Sequence, residues 1–435
     1  MAAPPDETGL SVAGAAWFQR RGVEAVFAAL NRDGHEARIV GGALRNTLMG
    51  LPVGDIDFAA TARPDEIIRF TQEAGLKPVP TGIEHGTVTV VVAGTPFEVT
   101  TLRRDVETHG RRATVAFTRD WAADAARRDF TINALYAAAD GRVIDPLGGL
   151  PDLRESRVRF IHAPRERIRE DYLRILRFFR FTADYAGGAP DAEGLAACVA
   201  ERAGLAKLSP ERVHAELFRI LVTRRPLAAL EPMAESGLLT LILGGVTRLA
   251  HFERLAALET ALGENPAPIR RLAALAVMVE EDAARLALRL RLSNAEAARL
   301  DAMAALEPVL DPSLGEAAAR EALYRLGSSV FRDRVLITWA RSSAGTSDED
   351  WRGLAALPGR WKAPVFPLKG QDLLAHGIPA GPRVGALLRA LEAKWVASGF
   401  APSREDLLSD VDETRAAKSP HPVAARPPSP SRGEG

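Results

Sequence analysis

Strand signals stop early in this chain. Short β-like runs bounded by turn residues occur at Ala37–Val40, Asp55–Ala59, Thr87–Val92 and Phe97–Leu102, behind a helical pattern from Trp17 to Asn31, and none follows Gly149. After Pro151 the chain turns to amphipathic segments rich in Ala, Leu, Arg and Glu, with Gly or Pro breaks near 187–190, 204–210, 263–268, 308–315 and 358–367. This segregation argues against alternating βαβ units and predicts an α+β chain, with a small N-terminal head on a mixed β-sheet followed by an all-α neck, body and tail. The expected division is a flexible N-terminus (1–16), the head (17–150), the neck (151–225), the body (226–360), the tail (361–415) and a disordered Pro/Ser-rich end (416–435).

Charge narrows the partners without naming one. The 56 basic and 56 acidic side chains balance, so any polyanion has to be met by a local basic surface. Nearly all of the basic residues are arginine, whose fork suits phosphates and base edges. Cys198 is the only cysteine, which excludes an intrachain disulfide and a cysteine metal site. Neither a basic, then apolar leader nor a run of ~18 apolar residues is present, so the expected location is cytoplasmic, with no membrane partner and no protein partner inferred.

The stretch IVGGALRNTLMGLPVGDIDFAAT concentrates the chemistry. A strand runs into Gly41-Gly42, where missing side chains let backbone amides approach a phosphate, and Arg45 lies on the first turn of the helix that follows. Asp55 and Asp57, two apart on a predicted strand, share one face, while Ile56 and Phe58 turn to the core. Two such carboxylates repel unless a cation sits between them, and hard oxygen donors suit Mg²⁺. Glu98 lies in a later strand and is a possible third acid; a solvated side chain is the commoner outcome for such a residue. Residues 106–121, polar and Arg-containing, read as a mobile loop, and Arg128, Asp129 and Asn133 beyond them offer groups for a ribose or phosphate. In RERIREDYLRILRFFRFT (165–182), Asp171, Arg174, Arg177 and Arg180 recur at spacing three on one predicted helix face. An Asp carboxylate beside an Arg fork matches a base edge carrying an exocyclic amine, which C and A both have.

Taken together and in this order, GGALR, DID, RRDFTINAL and EDYLRILRFFRF resemble the class II CCA-adding enzyme and bacterial poly(A) polymerase family, within the DNA polymerase beta-like nucleotidyltransferase superfamily. The resemblance is strong over residues 20–220. It implies a Mg²⁺-dependent nucleotidyltransferase with CTP, ATP and tRNA as substrates, in which Asp55 and Asp57 hold the metal, Gly42 and Arg45 contact the triphosphate and Arg128 the ribose. It also implies that Asp171 and Arg174 select the base, that Arg177 and Arg180 help to hold base or phosphates, and that Asp129 and Asn133 support Arg128. SPERVHAELFRIL (209–221), with Glu211, Arg212 and Glu216, resembles the family's buttressing motif, and LKGQDLLAHGIPAGPRVGALLRALEAKWVASG resembles its tRNA-holding tail. One position departs, since Asn46 stands where the family usually carries Asp. The absence of a His-Asp doublet argues against the phosphohydrolase extension of some relatives. Full CCA addition, C-only or A-only addition and poly(A) synthesis share all of these motifs.

Overall fold

The structure is a computed structural model that describes residues 9–109, 112–305 and 307–416. The C-terminal end read as disordered (416–435) lies, beyond Ala416, outside the described residues, as do residues 1–8. The chain divides into two compact units, residues 1–304 and 305–435. Among the described residues no helix is long and apolar enough to cross a membrane.

The first unit begins with α1 (Arg21–Leu30), β1 (Ala37–Val40), α2 (Gly42–Leu48), β2 (Asp57–Ala60), α3 (Pro64–Glu73), β3 (Lys77–Gly82), β4 (Thr87–Val92) and β5 (Thr95–Thr101). Next come β6 (Arg103–His109), β7 (Arg112–Phe117), α4 (Trp121–Ala126), β8 (Tyr136–Ala137) and β9 (Val143–Ile144). Seven of these strands form one sheet in the order β3-β4-β5-β2-β1-β8-β9, and β6 pairs with β7 alone. The sheet is mixed because β2 and β5 run parallel while its other pairs are antiparallel. A parallel pair needs a crossover, here α3, β3 and β4. Phe58 is buried against Phe27 of α1 and Phe97 of β5, with ring centroids 5.0 and 6.1 Å away.

Three local expectations are corrected. Trp17 stands outside α1, its Nε1 donating to Thr47 Oγ1 at 2.7 Å. Residues 11 and 12 are tethered, with Ser11 bridging Arg142 and Val12 buried, because the Val12 amide reaches the Gly141 carbonyl. Segment 106–121 supplies most of the β6–β7 hairpin and the start of α4 rather than a structureless loop; residues 110 and 111 lie outside the described residues.

After β9 the chain is helical. The helices nearest the head are α5 (Leu150–Arg154), α6 (Pro164–Glu170), α7 (Leu173–Tyr185), α8 (Ala192–Ala200) and α9 (Pro210–Leu221). The unit continues through α10 (Leu227–Glu235), α11 (Leu238–Leu243), α12 (Leu249–Leu262), α13 (Pro268–Ala276), α14 (Glu280–Leu290) and α15 (Asn294–Ala304). The expected single helix over 165–182 is two helices, because Asp171 leaves helical conformation at φ −152°, ψ 107°. Aspartate favours caps over helix interiors, and here its Oδ1 accepts the Leu173 amide at 3.1 Å. Tyr172 lies on Gly204, where a β-carbon would come within 1.9 Å of the ring.

A buried charge cluster joins α12 to α13. Glu259 Oε1 accepts from Arg270 at 2.7 and 2.9 Å, its Oε2 accepts from Arg271 at 2.7 Å, and Arg271 also donates to the Leu221 carbonyl at 2.6 Å. All three side chains are at most 6% exposed. Removing the acid strands two buried guanidinium groups, so Glu259→Ala is expected to destabilise by about 3–5 kcal/mol in chemical denaturation.

The second unit holds α16 (Gly315–Arg341), α17 (Glu349–Arg360), α18 (Gly370–Ala375), α19 (Pro382–Ala397) and α20 (Arg404–Ala416). Its core gathers Leu373, Leu391, Trp395, Leu407 and Val411, with Tyr324 and Phe400 packed against them.

Candidate active site

The site begins at the turn from β1 into α2. Gly41 adopts φ 75°, a left-handed backbone that β-carbons disfavour, and this lets the chain leave the sheet directly into the helix. No side chain caps α2, so the turn is open to an anion. Arg45, one turn on, is buried. Its guanidinium donates to Asn46 Oδ1 at 2.9 and 3.2 Å, to Tyr185 Oη at 2.7 Å and to Asn133 Oδ1. It lies 3.9 Å from the Tyr185 ring centroid. Burial pulls its pKa below the ordinary value despite the neighbouring Tyr185 and Asp129.

The carboxylates sit on the next strand. Val40 pairs with Asp57, and since β1 ends there, nothing pairs with Asp55. Asp55 therefore precedes β2 rather than lying in it, and it is exposed. The expected alternation survives, with Ile56 and Phe58 buried on either side of Asp57. Parallel pairing places Glu98 opposite Asp57. Burial, then the charges of Glu98 and Asp55, push the Asp57 carboxyl up to about 6, with Arg128 opposing them.

That value has a measurable consequence. Because the folded-state pKa lies above the ordinary 3.8, the folded protein holds this proton more tightly than the unfolded chain does. The stabilising contribution is then complete below about pH 4 and is lost as pH rises through about 6. Allowing for partial exposure, ionisation is expected to cost about 2 kcal/mol at neutral pH. Melting in EDTA at pH 4.5 and 7.5 checks it: Asp57→Asn should remove this part of the pH dependence, and an unchanged slope would refute it.

Arg128 is fixed from behind. It donates to Asp124 Oδ2 at 2.9 Å and to Tyr136 Oη at 3.2 Å, and Tyr136 itself donates to Asp124 at 2.9 Å. Burial works against its charge, yet Tyr136 and Asp124 together hold its pKa above the ordinary value. Asp129 accepts from the Phe130 amide and Asn133 Nδ2, each at 2.9 Å, and from Arg177. Burial alone would raise its pKa, but Arg177 and Asn133 hold it below the carboxylate range.

The break between α6 and α7, and α7 itself, bring the remaining residues. Asp171 Oδ2 accepts from Arg212 at 2.7 Å, while Arg174 donates to Glu170 and, at 2.7 Å, to the Arg167 carbonyl. Arg180 donates to Glu216 at 2.7 Å. A cavity of about 450 Å³ collects these groups, lined by Gly42, Arg45, Asp57, Glu98, Arg128, Asp171, Arg174 and Arg177 among others. Two expected residues, Asp55 and Arg180, are absent from its lining. Asp55 adjoins it through Asp57, and Arg180 is held by Glu216.

A metal ion is compatible with this donor set. Among the described residues no group of three or more His, Cys, Asp and Glu side chains converges to hold one. Mg²⁺, however, commonly takes only one or two carboxylates and fills its shell with water and substrate phosphate oxygens. The repulsion by Glu98 and Asp55 that adds to burial in raising the Asp57 pKa is what a bound cation relieves.

A family profile described as "Poly A polymerase head domain" matches residues 37–159. A second, described as "Probable RNA and SrmB- binding site of polymerase A", matches residues 190–248. The CCA tRNA nucleotidyltransferase 1, mitochondrial, of Mus musculus is 35% identical over 395 residues, covering 88% of each chain. The chain belongs to the CCA-adding enzyme and poly(A) polymerase family. The CCA-adding enzyme of Latilactobacillus sakei is 32% identical over 86% of this chain and 93% of its own. The structure of the Bacillus stearothermophilus CCA-adding enzyme in complex with CTP superposes with a TM-score of 0.71 at 28% identity, over 91% of this chain and 98% of that one. The Thermotoga maritima CCA-adding enzyme complexed with tRNA shares the fold, with a TM-score of 0.62 at 20% identity.

Within this family site, sequence reasoning missed the groups that aim the arginines. Asp124 could have been found, since it precedes Arg128 by four residues. Tyr136 and Tyr185 reach their arginines through the fold, Tyr185 across 140 positions of chain, and no local pattern marks them.

Proposed function

We propose that this chain is a template-independent tRNA nucleotidyltransferase that adds CCA to the tRNA 3′ end from CTP and ATP and releases pyrophosphate. The carrying observation is one cavity in which an acidic strand, an anion-accepting turn and the Asp171/Arg174 pair surround a space of nucleotide size. The names of the two relatives and of the CTP-bound structure support the reading, each being a CCA-adding enzyme or CCA tRNA nucleotidyltransferase.

The terminal ribose hydroxyl attacks the α-phosphorus in line. A P–O bond forms there as the bond to the β-phosphate bridging oxygen breaks, the hydroxyl proton passes to water, and pyrophosphate leaves. Asp55 and Asp57 would hold a Mg²⁺ ion, which when bound would supply Lewis-acid stabilisation of the developing charge. Gly42 and Arg45 bind the triphosphate, and Arg128, held by Asp124 and Tyr136, orients the ribose. Asp171 accepts from the exocyclic amine of C or A while Arg174 donates to the adjacent ring nitrogen, so the protein takes the place of a template. Arg177 and Arg180 steady this face through Asp129 and Glu216. We assign the head to residues 17–150, the neck to 151–225, the body to 226–360 and tRNA holding to 361–415. Cys198 is a buried free thiol, which suits a reducing compartment, and we assign the cytoplasm.

The test uses purified protein with Mg²⁺ and tRNA transcripts ending before CCA, after C or after CC, with CTP and ATP supplied separately and together. Products that stop at CCA are expected. Addition of C alone or A alone would replace this reading with a partial enzyme, and unbounded A-tailing of unrelated RNA would replace it with a poly(A) polymerase.

A further inference from the structure

One carboxamide joins the arginine on α2 to the loop that carries the first carboxylate. Among the described residues, no carboxylate hydrogen-bonds Arg45; its partners are the neutral oxygens of Asn46, Asn133 and Tyr185. Neutral acceptors fix a guanidinium without cancelling its charge, which leaves that charge for an incoming anion. Asn46 also reaches the other way. Its Nδ2 donates to the Pro52 carbonyl at 2.7 Å, and its own backbone carbonyl accepts the Leu51 amide at 2.8 Å. Residues 51–54 lead directly into Asp55. Arginine offers only donors and a carbonyl only accepts, so a single amide orientation satisfies both neighbours.

We propose that Asn46 is a positioning residue for nucleotidyl transfer, holding the Arg45 guanidinium at the triphosphate and the 51–54 loop in the register that presents Asp55. The inference rests on the functional reading above. It makes the amide, rather than any polar group, the requirement. An ionised Asp at 46 accepts from Arg45 but has no hydrogen for Pro52 and turns an oxygen towards that carbonyl. It also gives Arg45 a carboxylate partner that competes with the triphosphate. Asp is therefore the wrong residue for this loop.

Asn46→Asp and Asn46→Ala, made in the full chain, test this. The measurements are thermal melting, CTP binding by calorimetry in Mg²⁺ without tRNA, and kcat, KM for CTP and half-saturating Mg²⁺ on a tRNA lacking CCA. Loss of an outer partner of a metal or ligand site commonly lowers affinity or activity 10–100-fold. Both variants are expected to melt with the parent, to bind CTP about 10-fold more weakly and to need about 10-fold more Mg²⁺. A merely structural residue would change melting, with affinity and Mg²⁺ demand per folded molecule unaltered, and that result overturns the proposal. So does an Asn46→Asp variant equal to the parent in both CTP affinity and Mg²⁺ demand. Should the parent itself transfer no nucleotide, the functional reading fails, while the calorimetric comparison still decides whether Asn46 serves the nucleotide site.

Discussion

Asp57→Ala is expected to lower CMP incorporation into a CCA-lacking tRNA by about 10³-fold or more, since on the proposed metal role it removes several kcal/mol of transition-state stabilisation. The same change is expected to leave tRNA binding near the parental value, because Asp57 is partly buried beside Glu98 at the end of a strand and offers little surface to a polyanion. Stability should move the opposite way from activity. Asp57 ionises against burial and two neighbouring acids, so the isosteric Asp57→Asn protein should melt higher than the parent at neutral pH in EDTA. Sites that assemble like charges for catalysis commonly carry this kind of local cost. Single-turnover incorporation, filter binding and melting on the same preparations check all three. Retained turnover sinks the metal assignment, and lost tRNA binding would move Asp57 to the RNA interface.

The legible part of this molecule was the part written in local periodicity. β1 and β4 fall on β-like runs bounded by turn residues, and each buries its apolar side chains, Ala37, Ile39 and Val40 in β1 and Val88 and Val90 in β4. β3 escaped notice because Pro78 and Pro80 argue against a strand, and the fold tolerates them by placing β3 at the sheet edge, where missing amide donors leave no partner unsatisfied. Spacing alone does not mark Asp171 as a helix break: its bond from the Leu173 amide is local, while its second partner, Arg212, is brought by α9. Glu98 is the clearest case. Nothing local separates it from a solvated strand acid; its place opposite Asp57 follows from a parallel pairing whose crossover spans α3, β3 and β4. Motif order carried the site further than periodicity did, because the motifs record which residues must meet even when the path between them is unreadable.

Base choice is the second large effect expected. Cytosine and adenine each present an exocyclic amine beside a ring-nitrogen acceptor, whereas uracil and guanine present a carbonyl in place of the amine. In the proposed assignment the Asp171 carboxylate attracts the first pair and repels the second, and the Arg174 fork reads the neighbouring position. In this structure both groups are occupied by the protein itself, Asp171 by Arg212 and Arg174 by Glu170. A base therefore gains only the difference between its own hydrogen bonds and those it displaces, so a mismatched edge, which breaks the same bonds without replacing them, binds at a net loss. One good bidentate contact is worth about 1–3 kcal/mol of discrimination, so Asp171→Ala or Arg174→Ala should narrow the kcat/KM preference for CTP over UTP by about 10–100-fold. Most of that change should come from slower CTP use, with UTP incorporation level or rising. Competition assays with mixed CTP and UTP, read at single-nucleotide resolution, measure it. Selectivity unchanged in both variants would remove these residues from base recognition and return the choice of nucleotide to the shape of the cavity.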